Sequence, residues 1–339
     1  MLILAGVTIN ALFGENGLLN RATGAKEEYS KGEVKEKVEL LLSEYTIEKT
    51  TGENTDFAKF LRKNLQVGVA QNEDDTYAFM LGEWQVVATE NEVISIEKFK
   101  LDVDKTYPNV ASMRADTGLT DGQLVRTESY WDKQYGGSAY YDIVNSTSLE
   151  VDDGKCIQLD NGLYAELHPI NDTVTVNQFG AYGDREHDDA MAIENTLNTG
   201  FENINFESAQ YGMFRDISIA STDIYINLQN SEVKIIANNQ FENASMFNFW
   251  NSNNIYINKI KFDSNKEQNI NNAIGGITFW YCKNIEMNSC DFYGTGEEAT
   301  GITSVSSDEY TIENCNFFSM DCGFMTIGAT NEDNLKNFI

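Results

Sequence analysis

Asn254-Ile255-Tyr256-Ile257-Asn258-Lys259-Ile260-Lys261-Phe262 is the first of three copies of one pattern. The second is Asn284-Ile285-Glu286-Met287-Asn288-Ser289-Cys290-Asp291-Phe292, and the third is Glu309-Tyr310-Thr311-Ile312-Glu313-Asn314-Cys315-Asn316-Phe317. Each reads apolar-x-apolar-x-x-apolar-x-apolar. Alternation with period two marks a strand with one side in the core. The doubled polar position marks a bend at which the inward side resets. Eight residues before each copy lies another apolar strand: Phe247-Asn248-Phe249-Trp250, Ile277-Thr278-Phe279-Trp280 and Ile302-Thr303-Ser304-Val305, with a fourth starting at Phe324. The spacing is 30 residues from Ile255 to Ile285, 25 from Ile285 to Tyr310, and 22 from Ile302 to Phe324. A coil of three strands and three turns needs about that length, so the repeat predicts stacked β-solenoid coils.

The alignment assigns the core. Ile260, Cys290 and Cys315 form one inward stack, and Phe262, Phe292 and Phe317 another. Gly276, Gly301 and Gly323 precede strands and are expected where the chain turns tightly. Ile217–Ile219, Ile224–Leu228 and Val233–Ala237 supply the earlier coils. Asn337-Phe338-Ile339 carries no polar cap, so the coils are expected to be cut short at this end. All five cysteines (Cys156, Cys282, Cys290, Cys315 and Cys322) are expected as buried free thiols, because their number is odd and no pair has zinc-ligand spacing.

Composition narrows the partners. The formal net charge is -29, with 53 acidic against 24 basic residues. Such a balance argues against nucleic acid and against an anionic membrane surface, both of which need clustered Lys and Arg. It suits a solvated surface or carboxylates that bind Ca²⁺. Hydrophobic residues make up 41% of the chain, enough for packed cores.

Residues 174–198, VTVNQFGAYGDREHDDAMAIENTLN, lead into the coils. This stretch closely resembles the motif that opens the β-helix of the pectate-lyase-like and phage tailspike-like superfamily. Phe179, Gly180, Ala181, Gly183, Asp184, Asp188 and Asp189 match, and Arg185 stands where a glycine is common. The resemblance implies a right-handed parallel β-helix over 172–339, with a helix near Ala190 whose Ile193 and Leu197 cover the open end. It implies an extracellular or cell-surface protein that meets polysaccharide, and homotrimers occur among such proteins. Asp188 or Asp189 is expected to cap that helix. A calcium site at Asp184, Asp188 and Asp189 is the alternative.

Upstream, residues 1–48 resemble the N-terminal helix of type IV pilin-like proteins. Val34, Val38, Leu41, Leu42 and Tyr45 form an apolar stripe over 25–48, which also describes an ordinary amphipathic helix. The apolar run from Met1 to Ile9 reads as the tail of a longer apolar segment, the only route to a membrane. Residues 49–103 read as a small α+β unit, with a helix at Phe57–Leu65 and strands at Thr76–Leu81, Glu83–Thr89 and Glu92–Ile96. Asp102–Pro108 reads as a linker. Residues 104–171 read as a β-rich connector with strands at Gln123–Thr127, Ser138–Val144, Cys156–Leu159 and Tyr164–Leu167. The fold class expected is therefore mainly β: an incomplete parallel β-helix behind an N-terminal helix and small β-rich domains.

Outward positions hold the candidate chemistry. Asp263 and Asp291 are candidate carboxylates for glycoside hydrolysis, which needs an acid and a base or nucleophile. Lys261 is the candidate base for a lyase. Asn258, Asn288 and Glu313 form an outward ladder, and Trp250 with Trp280 forms a platform for sugar rings. Glu297, Glu298, Asp308, Asp321, Lys266 and Arg215 are weaker candidates, since a lone charge is usually a solvated surface group. His168 and His187 read as exposed polar residues. Three functions follow: a polysaccharide hydrolase or lyase, a non-catalytic glycan-binding adhesin or tailspike-like module, and a pilus-associated structural subunit.

Overall fold

The computed structural model describes residues 18–51, 56–65, 67–208, 210–221, 223–226, 233–238, 241, 245–269 and 274–327. The side chains of 18–29 and 296–298 lie outside that description. So do the Met1–Ile9 run, the side chains of Glu297 and Glu298, and the terminal Asn337-Phe338-Ile339. The described residues form two compact units, one reaching Leu65 and including Val69–Lys100, the other running from Leu101 onward with Val67 and Gly68.

In the first unit a helix spans Leu18–Thr51, longer than the apolar stripe alone predicts. Val38, Leu41, Leu42 and Tyr45 are its buried face. Tyr45 packs on Phe57 and Phe60 of the helix Phe57–Leu65, at ring separations of 4.7 and 5.2 Å. The strands Val69–Gln71, Tyr77–Leu81, Trp84–Ala88 and Val93–Lys98 make one antiparallel sheet in sequence order. Among the described residues, no helix is long and apolar enough to cross a membrane.

The second unit begins with a five-stranded sheet. Lys105–Tyr107 is a strand, not a linker, because it pairs in parallel with Leu124–Thr127. Ala139–Val144, Tyr164–Leu167 and Cys156–Gln158 complete the sheet. One apolar cluster runs from Tyr107 through Ile312, so residues 104–171 share a core with the coils that follow.

Those coils form a parallel β-helix with three sheets. Sheet A stacks Thr173–Thr175, Asn203–Asn205, Ile224–Ile226, Asn253–Asn258, Lys283–Asn288 and Asp308–Glu313. Sheet B stacks Asp184–Asp188, Gln210–Met213, Val233–Ala237 and Ile260–Asp263, then the leading parts of Asp291–Val305 and Asn316–Ile327. Sheet C stacks Ile217–Ile219, Ser245–Trp250 and Gly275–Trp280, then the trailing parts of the same two long strands. The register matches the repeat: Ile255, Ile285 and Tyr310 are neighbours, as are Phe262, Phe292 and Phe317. The bend between sheets A and B falls at Lys259, Ser289 and Asn314, all left-handed, with φ of 61°, 56° and 54°.

Rings stack coil upon coil inside. Phe262, Phe292 and Phe317 lie 5.2 and 5.1 Å apart, each pair within 8° of parallel. Gly276 and Gly301 are not turn residues: they lie inside strands of sheet C, where a Cβ would come within 2.4 Å of the Phe292 ring and 2.5 Å of the Phe317 ring. Glycine is there to admit the phenylalanine column. Cys156, Cys282 and Cys290 are buried free thiols, while Cys315 and Cys322 are partly exposed because they lie in the last described coil. At the other end, the helix Ala190–Leu197 buries Ile193 and Leu197.

Two substitutions measure this packing. Phe292→Ala is expected to lower the unfolding free energy by about 3–5 kcal/mol, and Gly276→Ala by about 1–3 kcal/mol, in urea titration.

Candidate functional site

Strand alternation puts Lys261 and Asp263 on the outer side of sheet B because Ile260 and Phe262 fill its inner side. Register then builds two outward columns. One runs Gln210, Lys234, Lys261, Asp291, Asn316. The other runs Ile236, Asp263, Tyr293, Phe318. Lys261 Nζ lies 3.9 Å from Asp291 Oδ2, and Asn316 Nδ2 donates to Asp291 Oδ1 at 2.8 Å. Asp263 Oδ1 accepts from the Asn265 amide at 2.9 Å. The Tyr293 ring lies flat on Phe318 at 4.8 Å. Partial burial raises the Tyr293 phenol above its ordinary pKa, and the charges of Asp291 and Asp263 raise it further. Asp263, Asp291 and Lys261 therefore meet on one face, around a tyrosine that the sequence pattern did not single out.

Next to them is a polar cavity of about 260 Å³ lined by Arg185, Glu186, Ile236, Ala237, Asn238, Asn265 and Gln268. Asn265 connects the two features. It follows Asp263 closely, and its Nδ2 donates to Ala237 O at 3.1 Å and to Gln268 Oε1 at 2.9 Å.

The strand Asp184–Asp188 bulges out of sheet B: Asp184 pairs with Gln210 and Asp188 with Gly212, so five residues oppose three. Asp189 holds the base of this bulge. It is fully buried and makes no side-chain cap to the helix, so of the two expected candidates only Asp188 bonds a free N–H at the helix start. Its Oδ1 accepts from the Tyr182 amide at 2.6 Å, and its Oδ2 accepts from Gly183 and Gly212 at 3.2 and 3.1 Å. Burial pushes its carboxyl up to about 6 and outweighs these three N–H bonds, which pull the other way. Asp188 takes the place next to the helix, its Oδ1 accepting from Ala190 and Phe214 amides at 3.1 Å each. Asp184 accepts from Glu186 and His187 amides and pairs with the His187 ring. The oxygens of Asp184, Asp188 and Asp189 are thus directed at different backbone groups. Among the described residues no three His, Cys, Asp or Glu side chains form a set fit to hold a metal ion. This donor arrangement does not fit calcium, and no step below is derived through it.

His187 stacks on Tyr182 at 4.0 Å, and Trp131 stacks on the same tyrosine at 5.1 Å. Trp131 is 40% exposed, and its Nε1 donates to Gly180 O. His168 is exposed and pairs with Asp142.

The remaining candidates lie elsewhere. Trp250 and Trp280 end strands of sheet C, with rings 4.7 Å apart and 3° from parallel. Trp250 is 36% exposed, and Trp280 Nε1 reaches Asn248 Oδ1 at 3.5 Å. Asn258, Asn288 and Glu313 stack at the corner between sheets A and B. Asn258 departs from the expected outward ladder: it is only 2% exposed, closed in where the chain bends at Lys259, and no ligand reaches it there. Asn288 and Glu313 are partly exposed, and Asn288 Oδ1 accepts from Asn314 Nδ2 at 3.1 Å. Arg215 is tied to Glu194 at 2.6 Å.

No protein-family model and no curated protein matches the chain. Solved structures that share its fold include the following two. The enzymatically active domain of tailspike protein 2 from bacteriophage CBA120 superposes with a TM-score of 0.54 at 12% identity, covering 65% of this chain and 35% of that one. Pantoea stewartii WceF, a glycan biofilm modifying enzyme with a tailspike-like parallel β-helix fold, superposes with a TM-score of 0.50 at 12% identity, covering 77% and 39%. The chain thus spans little more than a third of either protein. The fold is that of a tailspike-like parallel β-helix.

Asp189 makes a pH-dependent contribution. Its folded pKa of about 6 lies above the unfolded value of about 3.9. Its contribution is therefore complete below the unfolded value and is lost as pH rises through 6. Urea unfolding of wild type and Asp189→Asn at pH 4 and pH 7 is expected to show wild type losing ground to the variant at the higher pH.

Proposed function

We propose that this chain belongs to an extracellular or cell-surface protein that degrades polysaccharide laid along the outer side of sheet B. The observation that carries the reading is the meeting of Asp263, Asp291 and Lys261 beside the partly exposed Tyr293–Phe318 stack. That solved structures of this fold include an enzymatically active tailspike domain and a glycan-modifying enzyme supports the substrate class. Fold alone does not assign chemistry; the side chains on it do.

In the hydrolase form, Asp263 is the acid. One of its oxygens is held by the Asn265 amide, and the other has no partner among the described residues. It protonates the leaving glycosidic oxygen. Asp291, oriented by Asn316 and Lys261, is the base that takes a proton from water. The two residues sit one coil and two positions apart, which from strand geometry is about 8 Å between Cα atoms. That spacing suits a pair of carboxyls with a water between them and hence inversion at the anomeric carbon. Tyr293 and Phe318 offer an aromatic surface to a sugar ring. In the lyase form, Lys261 removes the proton next to a uronate carboxyl, the adjacent bond from carbon to the glycosidic oxygen breaks as the double bond forms, Asp263 gives the departing oxygen a proton, and the product carries an unsaturated end.

A second reading is a non-catalytic glycan-binding module, favoured by the parallel Trp250–Trp280 pair. A pilus-associated role rests on the N-terminal helix alone. A homotrimer would suit the tailspike-like reading and is testable by sedimentation.

Reducing-end release from a panel of bacterial, plant and host polysaccharides tests the main reading. Asp263→Asn and Asp291→Asn are each expected to reduce release about 100-fold or more at unchanged unfolding stability. Ultraviolet-absorbing unsaturated ends would select the lyase form. Binding without release, lost in Trp280→Ala, would replace degradation with the second reading.

A further inference from the structure

We propose that the cavity beside Arg185 is a subsite for an anionic substituent, a carboxylate or phosphate, of the glycan on sheet B. This rests on the function proposed above and adds a recognition site to it.

Arg185 is held in the left-handed region, with φ of 70°. A side chain with a Cβ is crowded there, so a non-glycine residue is strained. The bulge keeps it in place. Gly212 lies so close that a Cβ would approach His187 O at 2.6 Å and Arg185 O at 2.7 Å. Asp189 ties Gly183, before the bulge, to Gly212 beneath it. The backbone that carries Arg185 is therefore set before any ligand arrives, and pre-organisation of this kind lowers the cost of binding.

Among the described residues nothing uses the guanidinium. Among arginines with described side chains, Arg62 donates to Val69 O, Arg114 pairs with Asp153, Arg126 donates to Ser138, and Arg215 pairs with Glu194. Arg185 alone has no hydrogen bond or ion pair with the described residues. Lys234, on the same outer face and two residues before the cavity residue Ile236, is likewise unpaired among them. Two unpaired cations on one face are unexpected in a chain with 53 acidic and 24 basic residues.

The rest of the lining suits a sugar that carries a charge. Asn238, Asn265 and Gln268 contribute amide groups, and Glu186 is an acceptor for hydroxyl groups, facing the same space with opposite charge. A volume of about 260 Å³ is room for several water molecules and not for one ion alone. A planar guanidinium binds carboxylate or phosphate through two parallel hydrogen bonds, which a lysine does not reproduce. Because Asn265 joins the cavity wall to Asp263, an anion held at Arg185 would fix the register of the chain relative to the proposed acid.

The test follows the Arg185 Nε–H resonance by NMR while the intact chain is titrated with glucuronate, inorganic phosphate or glucose. The expected result is a saturable shift with at least one anion and none with glucose. The two anions distinguish carboxylate from phosphate. Arg185→Gln is read through the Asn265 and Gln268 side-chain amides and is expected to weaken anion binding at least tenfold, with Arg185→Lys restoring only part. Arg185→Gly is expected to unfold no earlier than wild type while losing the anion response, which separates binding from folding. Absence of a shift with both anions, or an equal shift with glucose, overturns the subsite. Loss of polysaccharide cleavage with the anion response intact would sink the degradative reading and leave the subsite standing.

Discussion

The last three described coils of the β-helix stack one phenylalanine ring directly over another, on an inward column that begins with Tyr211 and Ile235. Phe262, Phe292 and Phe317 do so at close to van der Waals separation, and most of what surrounds them follows. The rings need space on the facing sheet, which Gly276 and Gly301 provide. They need the chain to change direction three residues earlier, which the left-handed corners at Lys259, Ser289 and Asn314 accomplish. A one-residue slip in any coil would turn its apolar set outward, so the column also fixes register.

The same register produces the outer face. Once Ile260 and Phe262 point inward, Lys261 and Asp263 have only the solvent side, and the next coil places Asp291 and Tyr293 beside them. The proposed chemistry is thus a by-product of core packing: residues from separate coils reach one site without any loop having to fold around it. The bulge at Asp184–Asp188 is the exception. There the strand leaves the regular path, is held by the buried Asp189, and presents Arg185 and the stacked His187 and Tyr182.

The coils were legible in the sequence because the pattern recurs three times, and repetition supplies what a single strand lacks. The helix Phe57–Leu65 and the strands near Tyr77–Leu81 and Tyr164–Leu167 were legible from local periodicity. Features made by distant pairing were not. Lys105–Tyr107 is a strand only because Leu124–Thr127 lies beside it. The glycines of sheet C look like turn residues in the sequence, since nothing local reveals a phenylalanine on the facing sheet. Trp131 meets Tyr182 across 51 positions (182 − 131) with no period to connect them. Asn258 alternated as an outward residue should, yet the corner buries it. Arg185 was visible as a departure from a glycine, but its lack of partners is a property of the folded chain.

Hydrogen exchange followed by mass spectrometry, with and without the oligosaccharide that the protein selects, tests the central claim most directly. Glycan on sheet B is expected to slow exchange in its strands, around Ile260–Asp263 and the leading part of Asp291–Val305, and in the bulge Asp184–Asp188. Slowed exchange confined to the ends of sheet C around Trp250 and Trp280, with sheet B unchanged, would contradict it.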